Sequence, residues 1–372
     1  MSEDLSYFKL KETINNPLRI FFLCGSHFNT GDQDRTDKRI VLKEYIESLN
    51  PNYKCLILEE NFLFRRDTRK LNYNDINMRS LKIIELLTSL MSDKVIIFHE
   101  CISTAAEIGL FSSDKIISDK MVILAPDIYS AEEDVISGFI NLSYNNRVLP
   151  DYNLEIIRYY PGTYSYEISD NSNKRHTYFA NNVLGENLKS KLSSTLEVNH
   201  SCIKIEKQNK YNTFNNDISK YSVSKEELNV TLTIEHLVAM LISLFTIEEL
   251  KRKLREPINN VEDRIKIKKN VLFKAISTLK VTFRKFIERT ISSNNQTLRY
   301  NKINISVACA NITFSQAVSY FIYVMYGINL IDINYSNKKL VITNQLDQIS
   351  AEYTDLIVSP VDGGIAEVLK IE

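Results

Sequence analysis

The sequence lacks several features that would point to a particular class of protein. Its 46 basic residues are balanced by 46 acidic ones, so the formal net charge is zero and favours neither a nucleic-acid-binding nor a membrane-surface protein. No CxxC pair occurs among the five cysteines, which argues against a zinc site. No internal repeat or low-complexity tract stands out either, apart from a bias toward asparagine.

We expect neither a targeting segment nor a membrane-spanning segment. The first residues, MSEDLSY, contain neither the basic region nor the apolar core of a secretory signal peptide. The most apolar later stretch, residues 237–245, is too short to cross a bilayer. An odd number of widely spaced cysteines is typical of buried thiols in a reducing cytoplasm, where we expect this protein. The five are Cys24, Cys55, Cys101, Cys202 and Cys309.

The chain does contain enough apolar residues for two domains, since 44% of its 372 residues are hydrophobic. Its first part alternates strand-like and helix-like runs, which implies βαβ units and a parallel sheet. We therefore predict an α/β domain with a doubly wound parallel sheet over residues 1 to about 165. The predicted strands are 18–24, 53–58, 94–98, 120–125 and 154–159, and the predicted helices are 34–49, 81–91, 104–111 and 131–141.

The second part of the chain, residues 166–372, is predicted to form a mixed, largely helical domain. The polar stretch 161–224 indicates loops with a few short strands. From Ser224 the pattern becomes helical, and Ser224 and Glu227 have the spacing of a capping box. Two long helices are predicted at 233–254 and 261–291, separated at Pro257. A helix at 314–325 and strands at 330–333, 340–343 and 356–358 follow.

Residues 93–109 combine a strand, a polar turn and a helix that carries Glu107 in its predicted first turn. Open α/β folds bind ligands at the C-terminal edge of their parallel strands, which is where this carboxylate is expected. A carboxylate there can attack a sugar carbon, which indicates chemistry on an N-glycosidic bond. Alternatively, Glu107 only stabilises the start of its helix through the helix dipole.

Small and polar residues accompany Glu107. Ser103 and Thr104 offer hydroxyls and backbone N–H groups at the predicted helix start, which suit ribose or phosphate oxygens. Gly109 keeps the nearby surface small, so that a ligand can approach closely. His99 and Glu100 lie in the preceding turn, where they would shape the pocket or raise the pKa of Glu107 through like-charge proximity.

Other candidate residues follow the first two strands. Gly25 and Ser26 end the first strand at the same sheet edge and offer a second loop for close approach. His27 would contact a phosphate, act as an acid, or simply be exposed. Glu59 and Glu60 follow the second strand, where one of them, taken as Glu60, is expected to bind ribose hydroxyls unless both are merely solvated. Asp93, by contrast, is expected at the far end of the sheet as a structural residue.

Three blocks of sequence carry a resemblance to a known family. They are FLCG at 22–25, EENF at 59–62 and the segment 93–111, with FIN at 139–141 as a further match. Residues 18–160 thereby resemble the nucleoside 2-deoxyribosyltransferase-like superfamily, whose sheet is flavodoxin-like, and most of all the effectors of bacterial retron anti-phage systems. In that superfamily the glutamate of a small-x-x-x-Glu-Leu/Ile-Gly motif is the nucleophile. The resemblance therefore implies that Glu107 attacks C1′ and forms a glycosyl-enzyme that water or another base resolves.

The resemblance also implies a substrate and a type of reaction. Nicotinamide is a cationic leaving group on NAD and needs little acid assistance, so NAD is implied as a substrate, with no cofactor and no metal. Transferases of the superfamily carry Gly-Pro after the first strand and Asp-Ser-Gly-Thr before the glutamate. This chain has GSH at 25–27 and CIST at 101–104 instead, which favours hydrolysis over base exchange. Members commonly complete their sites across subunits, which implies a homo-oligomer.

A basic segment lies in the second half of the chain. Between Lys251 and Arg289, thirteen basic residues face four acidic ones, a net charge of +9. The charges alternate with apolar residues at helical spacing, which predicts an amphipathic helix whose basic face is either solvated or bound to nucleic-acid phosphates. A retron effector would meet a reverse transcriptase and its RNA–DNA hybrid, and this segment is the expected contact.

Three functions are consistent with these observations. The favoured one is a retron-type anti-phage effector, a toxin with N-glycosidase activity on NAD or a nucleotide. The alternative is a non-catalytic module that senses a nucleotide and docks to a reverse transcriptase–RNA/DNA complex. A housekeeping enzyme similar to phosphoribohydrolases ranks last, because it would not need the helical and basic second half.

Overall fold

A computed structural model describes residues 6–25, 37–61, 80–126, 155–159, 184–197, 202–259, 261–295, 298–309 and 312–358. The chain divides into two units. The sheet unit comprises Leu18–Asn72 and Ile84–Asn199, and the mixed unit comprises Met1–Pro17, Tyr73–Ile83 and His200–Glu372. The predicted helix at 131–141 lies outside the described residues.

Five parallel strands form the sheet of the sheet unit, and all five were predicted to within two residues. Their order is β2-β1-β3-β4-β5, which is one of the two common doubly wound arrangements. Strand β2 is added on one side of β1, whereas β3, β4 and β5 are added on the other side, so the strand order reverses between β1 and β3. Ligands bind in such folds at this switch point. The strands are β1 (Arg19–Cys24), β2 (Tyr53–Leu56), β3 (Lys94–Phe98), β4 (Met121–Pro126) and β5 (Glu155–Tyr159).

Six helices accompany these strands in the described part of the chain. Helix α3 agrees with the prediction, whereas α1 begins four residues later than expected and α4 two residues earlier. The side chain of Asp37 caps α1 by accepting a hydrogen bond from the N–H of Arg39 at 2.9 Å. The helices are α1 (Lys38–Leu49), α2 (Leu58–Asn61), α3 (Leu81–Met91), α4 (Ile102–Phe111), α5 (Lys115–Ser118) and α6 (Glu186–Thr195).

Helix α6 lies in the polar stretch for which only loops and short strands were expected. Its leucines recur every fourth residue, and Leu188 and Leu192 are fully buried in the core beside Phe21 and Leu23 of β1. The sheet unit therefore continues to Asn199, beyond the boundary near residue 165 that the sequence suggested. The spacing of these leucines was visible in the sequence, but the many surrounding Asn, Ser and Lys residues obscured it.

Asp93 fixes the far edge of the sheet, as expected. Its Oδ2 accepts a hydrogen bond from the N–H of Ile20 at 2.7 Å, and its own N–H donates to the carbonyl of Ile20 at 2.7 Å. These two bonds set the position of β3 beside β1. The opposite edge, where β1 and β3 end, remains available for a binding site.

A four-stranded sheet, in the order β9-β8-β7-β6, forms part of the mixed unit. Strands β7 and β8 are antiparallel, whereas the two outer pairs are parallel. The predicted capping box at Ser224 is wrong, because Ser224 ends β7 and pairs with Glu227 across a hairpin. Lys225 and Glu226 form the turn with φ values of 49° and 61°, as two-residue hairpin turns require. The strands are β6 (Ile205–Lys207), β7 (Ser219–Ser224), β8 (Glu227–Leu232) and β9 (Lys302–Val307).

The helices of the mixed unit follow the prediction more closely. The expected helix at 233–254 is interrupted by a 3₁₀ turn, Leu244–Thr246, and the long helix α9 is confirmed. No helix in the described ranges is both long and apolar enough to cross a membrane. The helices are α7 (Ile234–Ser243), α8 (Glu248–Leu254), α9 (Arg264–Asn294), α10 (Phe314–Gly327) and α11 (Asn344–Ala351). Between α10 and α11 lies an antiparallel pair, β10 (Ile331–Asn334) and β11 (Lys339–Ile342).

The mixed unit also contains the first described residues of the chain, which the sequence had assigned to the α/β domain. The two-residue strands Tyr7–Phe8 and Ile357–Val358 pair antiparallel. The ring of Phe8 lies 5.7 Å from that of Phe283 and 5.2 Å from that of Phe286, both on α9. This aromatic packing holds the N-terminal segment in the mixed unit.

The position of α6 in the core leads to a prediction about stability. We expect Leu188→Ala to lower the free energy of unfolding by about 2–5 kcal/mol, because it leaves a cavity against β1. Ser194→Ala, on the exposed side of the same helix, should change it by less than about 0.5 kcal/mol. Chemical denaturation followed by circular dichroism measures both. Equal effects of the two substitutions would show that α6 does not belong to the core.

Candidate active site

The turn between β3 and α4 is held by a buried threonine. The hydroxyl of Thr104 donates to the carbonyl of Cys101 at 2.7 Å and accepts from the N–H of Cys101 at 3.3 Å. Thr104 is fully buried, so its hydroxyl stabilises the turn in this structure. Ser103, by contrast, is exposed. His99 Nδ1 lies 3.4 Å from the same hydroxyl, and burial lowers the pKa of His99.

Glu107 lies in the second turn of α4, so its predicted place in the first turn is wrong. The helix begins at Ile102 because Cys101 occupies the N-cap position, and its first turn contains no acidic residue. The favourable effect of a helix dipole on a carboxylate fades beyond the first turn. Helix capping therefore does not explain why a glutamate occupies this position.

The negative charge of the Glu107 carboxylate is poorly compensated by hydrogen bonds and by nearby cations. Its Oε2 is buried and has no hydrogen-bond partner among the described residues. The pKa of Glu107 is raised to about 8, above all by burial and then by the carboxylates of Glu85 and Glu59, whereas Arg39 lowers it. A buried, unsatisfied polar atom with a perturbed pKa at a switch point is typical of a functional site.

Glu85 is a second acid of this cluster, and the sequence analysis did not single it out. It lies on α3, beside the buried Ile84, and its pKa is raised to about 7 by burial and by the charge of Glu59. A glutamate next to the apolar stripe of a predicted helix was a weak signal in the sequence. Only the tertiary structure brings it close to Glu107.

Arg39 is the cation of the site, and it too was missed. Its side chain is only 2% exposed and donates to both oxygens of Asp37, from Nε at 3.1 Å and from Nη2 at 2.9 Å. Its Nη1 donates to Glu59 Oε1 at 3.1 Å. A Cβ atom on Gly25 would lie 2.9 Å from the Cδ of Arg39. The close approach predicted at Gly25 is therefore made by the arginine.

Glu60 and Glu100 are both engaged in ion pairs. Lys43 Nζ lies 2.7 Å from Glu60 Oε2, and Lys38 pairs with Glu100. The like-charge effect on Glu107 comes from Glu59 and Glu85 rather than from Glu100. Of the two glutamates after β2, Glu59 is thus the one electrostatically coupled to Glu107, whereas the substrate contact expected of Glu60 stays a prediction.

The remaining candidate residues are less informative. An added Cβ at Gly109 would meet nothing within 4 Å, so contacts in this structure do not require a glycine there. A glycine in an exposed helix costs about 1 kcal/mol relative to alanine, so a role in ligand approach stays a prediction. Ser26 and His27 lie outside the described residues. In the described part of the chain, no group of three or more His, Cys, Asp or Glu residues is placed to hold a metal ion.

Buried thiols were expected for the cysteines, but only two of the five are buried. All five cysteines are free, and Cys24 and Cys55 are buried in the sheet. Cys101 and Cys309 are partly exposed, and Cys202 is exposed. Cys202 lies within the polar stretch 161–224, where the sequence pattern is weakest, so its surroundings were not predictable from apolar spacing.

The basic segment splits into two parts with different surroundings. On α8, Arg252 binds Glu249 at 2.8 Å, and Lys251 lies 3.2 Å from Asp347, so much of this positive charge is neutralised locally. The outer face of α9 is different, because its cations are exposed and make no ion pair with any described residue. We call this surface the α9 basic face. It consists of Lys266, Lys269, Arg284 and Lys285, with Phe273 and Val281 exposed between them.

Comparison with known proteins adds one match. The family model described as STM3845 retron effector protein matches residues 35–281, more than half of the 372-residue chain. The matched segment includes the acidic cluster around Glu107 and most of α9. No curated protein matches the sequence.

The raised pKa of Glu107 leads to a prediction about stability. A carboxyl group with a raised pKa stabilises the folded state below its unfolded pKa, and that stabilisation is lost as the pH rises to about 8. We therefore expect Glu107→Gln to stabilise the protein at pH 9 by on the order of 2 kcal/mol, with little effect at pH 4.5.

Thermal unfolding midpoints at the two pH values test this expectation. Glu197→Gln, at an exposed position of the same unit, is the matched control and should shift neither midpoint. A Glu107→Gln variant that is no more stable than the wild type at pH 9 would contradict the proposed burial of a charge.

Proposed function

The chain belongs to the STM3845 retron effector family, and we propose that it is a toxin that cleaves the N-glycosidic bond of NAD or a nucleotide through Glu107. Membership of this family makes it an effector of retron anti-phage defence. The observation that carries the enzymatic proposal is the buried Oε2 of Glu107, which lacks a partner in the described part of the chain. It lies in the helix that follows β3, beside the switch point of a doubly wound sheet, where ligands bind in such folds.

The proposed reaction requires a single carboxylate nucleophile. Glu107 attacks C1′ of the sugar, the bond from C1′ to the base nitrogen breaks, and its electron pair leaves with the base. Water then hydrolyses the glycosyl ester, which releases the sugar and regenerates the carboxylate. When the base is nicotinamide, the cationic ring leaves as a neutral molecule, so its departure needs no proton donor.

The charge of the site supports a substrate with a cationic base. Glu59, Glu85 and Glu107 are coupled electrostatically, and the one arginine among them, Arg39, is also bound to Asp37. A nucleophile with a pKa of about 8 is mostly protonated at neutral pH, and a positive ring beside it would lower that pKa. The nicotinamide ring of NAD supplies this charge, whereas a neutral base does not.

We expect Glu107→Gln to reduce base release by about 10³-fold or more, because the amide cannot form the glycosyl ester. The full chain is incubated with NAD, nucleosides and nucleotides, and free base is quantified by chromatography. Glu197→Gln serves as the control with unchanged activity. Base release that survives Glu107→Gln would refute the assignment, and binding without any release would favour the nucleotide-sensing alternative.

The second part of the proposal concerns the partner. Association with the reverse transcriptase of a retron follows in general from the family. We propose that the α9 basic face contacts the phosphates of its RNA–DNA hybrid. Exposed cations that make no ion pair with the described residues release counterions on binding phosphates, and the exposed Phe273 adds apolar contact. The cations of α8 already pair with carboxylates, so binding to phosphates would stabilise them less.

Charge reversal tests this interface. We expect the pair Lys269→Glu and Arg284→Glu to reduce co-purification of the reverse transcriptase complex by about tenfold or more at physiological salt. The control is Arg252→Glu on α8, also an exposed arginine, which pairs with Glu249. Nuclease treatment before purification shows whether nucleic acid mediates the contact. Equal retention of the complex by all variants would contradict the proposed interface.

A further inference from the structure

Glu59 is held in one orientation by a buried arginine. Arg39 is anchored by both oxygens of Asp37 and packs against Gly25, so it cannot move without disrupting the start of α1 and the end of β1. Its remaining donor, Nη1, binds Glu59 Oε1 at 3.1 Å. One oxygen of Glu59 is therefore bound to a cation that is itself held in place.

The second oxygen of Glu59 is open to a ligand. Oε2 has no hydrogen-bond partner in the described part of the chain, and the side chain of Glu59 is 36% exposed. An ionised carboxylate can only accept hydrogen bonds, so this oxygen suits a hydroxyl or N–H donor and repels a phosphate. A hydroxyl group of the substrate is a donor of this kind.

Glu59 and Glu107 lie in the helices that follow β2 and β3, the two strands on either side of β1, so both are at the same edge of the sheet, and their charges interact. If Glu107 approaches C1′ of a sugar, an acceptor nearby meets the hydroxyl on C2′, the one carbon bonded to C1′. We infer that Glu59 is a specificity-determining residue whose Oε2 accepts a hydrogen bond from the 2′-hydroxyl, so that the site selects ribosyl over 2′-deoxyribosyl substrates. This inference rests on the proposed function of Glu107.

The ratio of two rates tests the inference. Base release is measured with NAD and with its analogue that lacks the 2′-hydroxyl on the nicotinamide ribose, and the two values of kcat/KM are divided. The 2′-hydroxyl changes the intrinsic reactivity of the glycosidic bond, but this contribution is the same for every variant and cancels when variants are compared. The variants are Glu59→Ala, Glu59→Gln, Glu60→Gln and the control Glu197→Gln.

We expect Glu59→Ala to lower the preference for NAD over its 2′-deoxy analogue by about 10- to 100-fold, the scale of a hydrogen bond to a charged group. Glu59→Gln should lower it less, because an amide oxygen still accepts a hydrogen bond, and Glu197→Gln should leave it unchanged. A ratio that Glu59→Ala does not change, or that changes with Glu60→Gln instead, would overturn the inference.

The failure of this inference differs from the failure of the proposed function. If Glu107→Gln abolishes base release while Glu59→Ala leaves the ratio unchanged, only the role of Glu59 is refuted. If the chain releases no base, dissociation constants for NAD and its 2′-deoxy analogue replace the rates, and the same change of ratio is required. If it binds neither compound, both proposals fail.

Discussion

The ion pair network of Arg39 is the interaction on which the rest of the candidate site depends. One buried guanidinium joins the N-cap of α1 through Asp37, the end of β1 through its packing on Gly25, and α2 through Glu59. A buried cation is tolerable only if it is paired, and both of its carboxylate partners lie at the same edge of the sheet.

The carboxylates near this network are not balanced by other cations of the site. Lys38 and Lys43 pair with Glu100 and Glu60, which leaves Glu85 and Glu107 with raised pKa values. Such an arrangement lowers stability at neutral pH, and functional sites commonly contain strain of this kind because a bound ligand relieves it. A positively charged ligand or a hydroxyl donor would relieve it here, which is why the electrostatics and the proposed chemistry agree.

Much of the fold follows from local patterns. The three central parallel strands, β1, β3 and β4, are short apolar runs such as Val95–Phe98, buried on both faces, and runs of this kind can be recognised in a single sequence. The failures also have local causes. Cys101 rather than a later residue caps α4, which moves Glu107 into the second turn, and Ser224 fits a capping box although the left-handed φ angles of Lys225 and Glu226 make a hairpin there.

The sequence by itself determined the parallel sheet, the edge at which the site lies and the candidacy of Glu107, because each depends on runs of residues next to one another in the chain. Only the tertiary structure decided which charges surround that glutamate. Arg39, Glu59 and Glu85 come from three different helices, and their proximity to Glu107 depends on the strand order and on how closely Arg39 packs against Gly25. Electrostatic coupling depends on distance in space, which spacing along the chain does not encode.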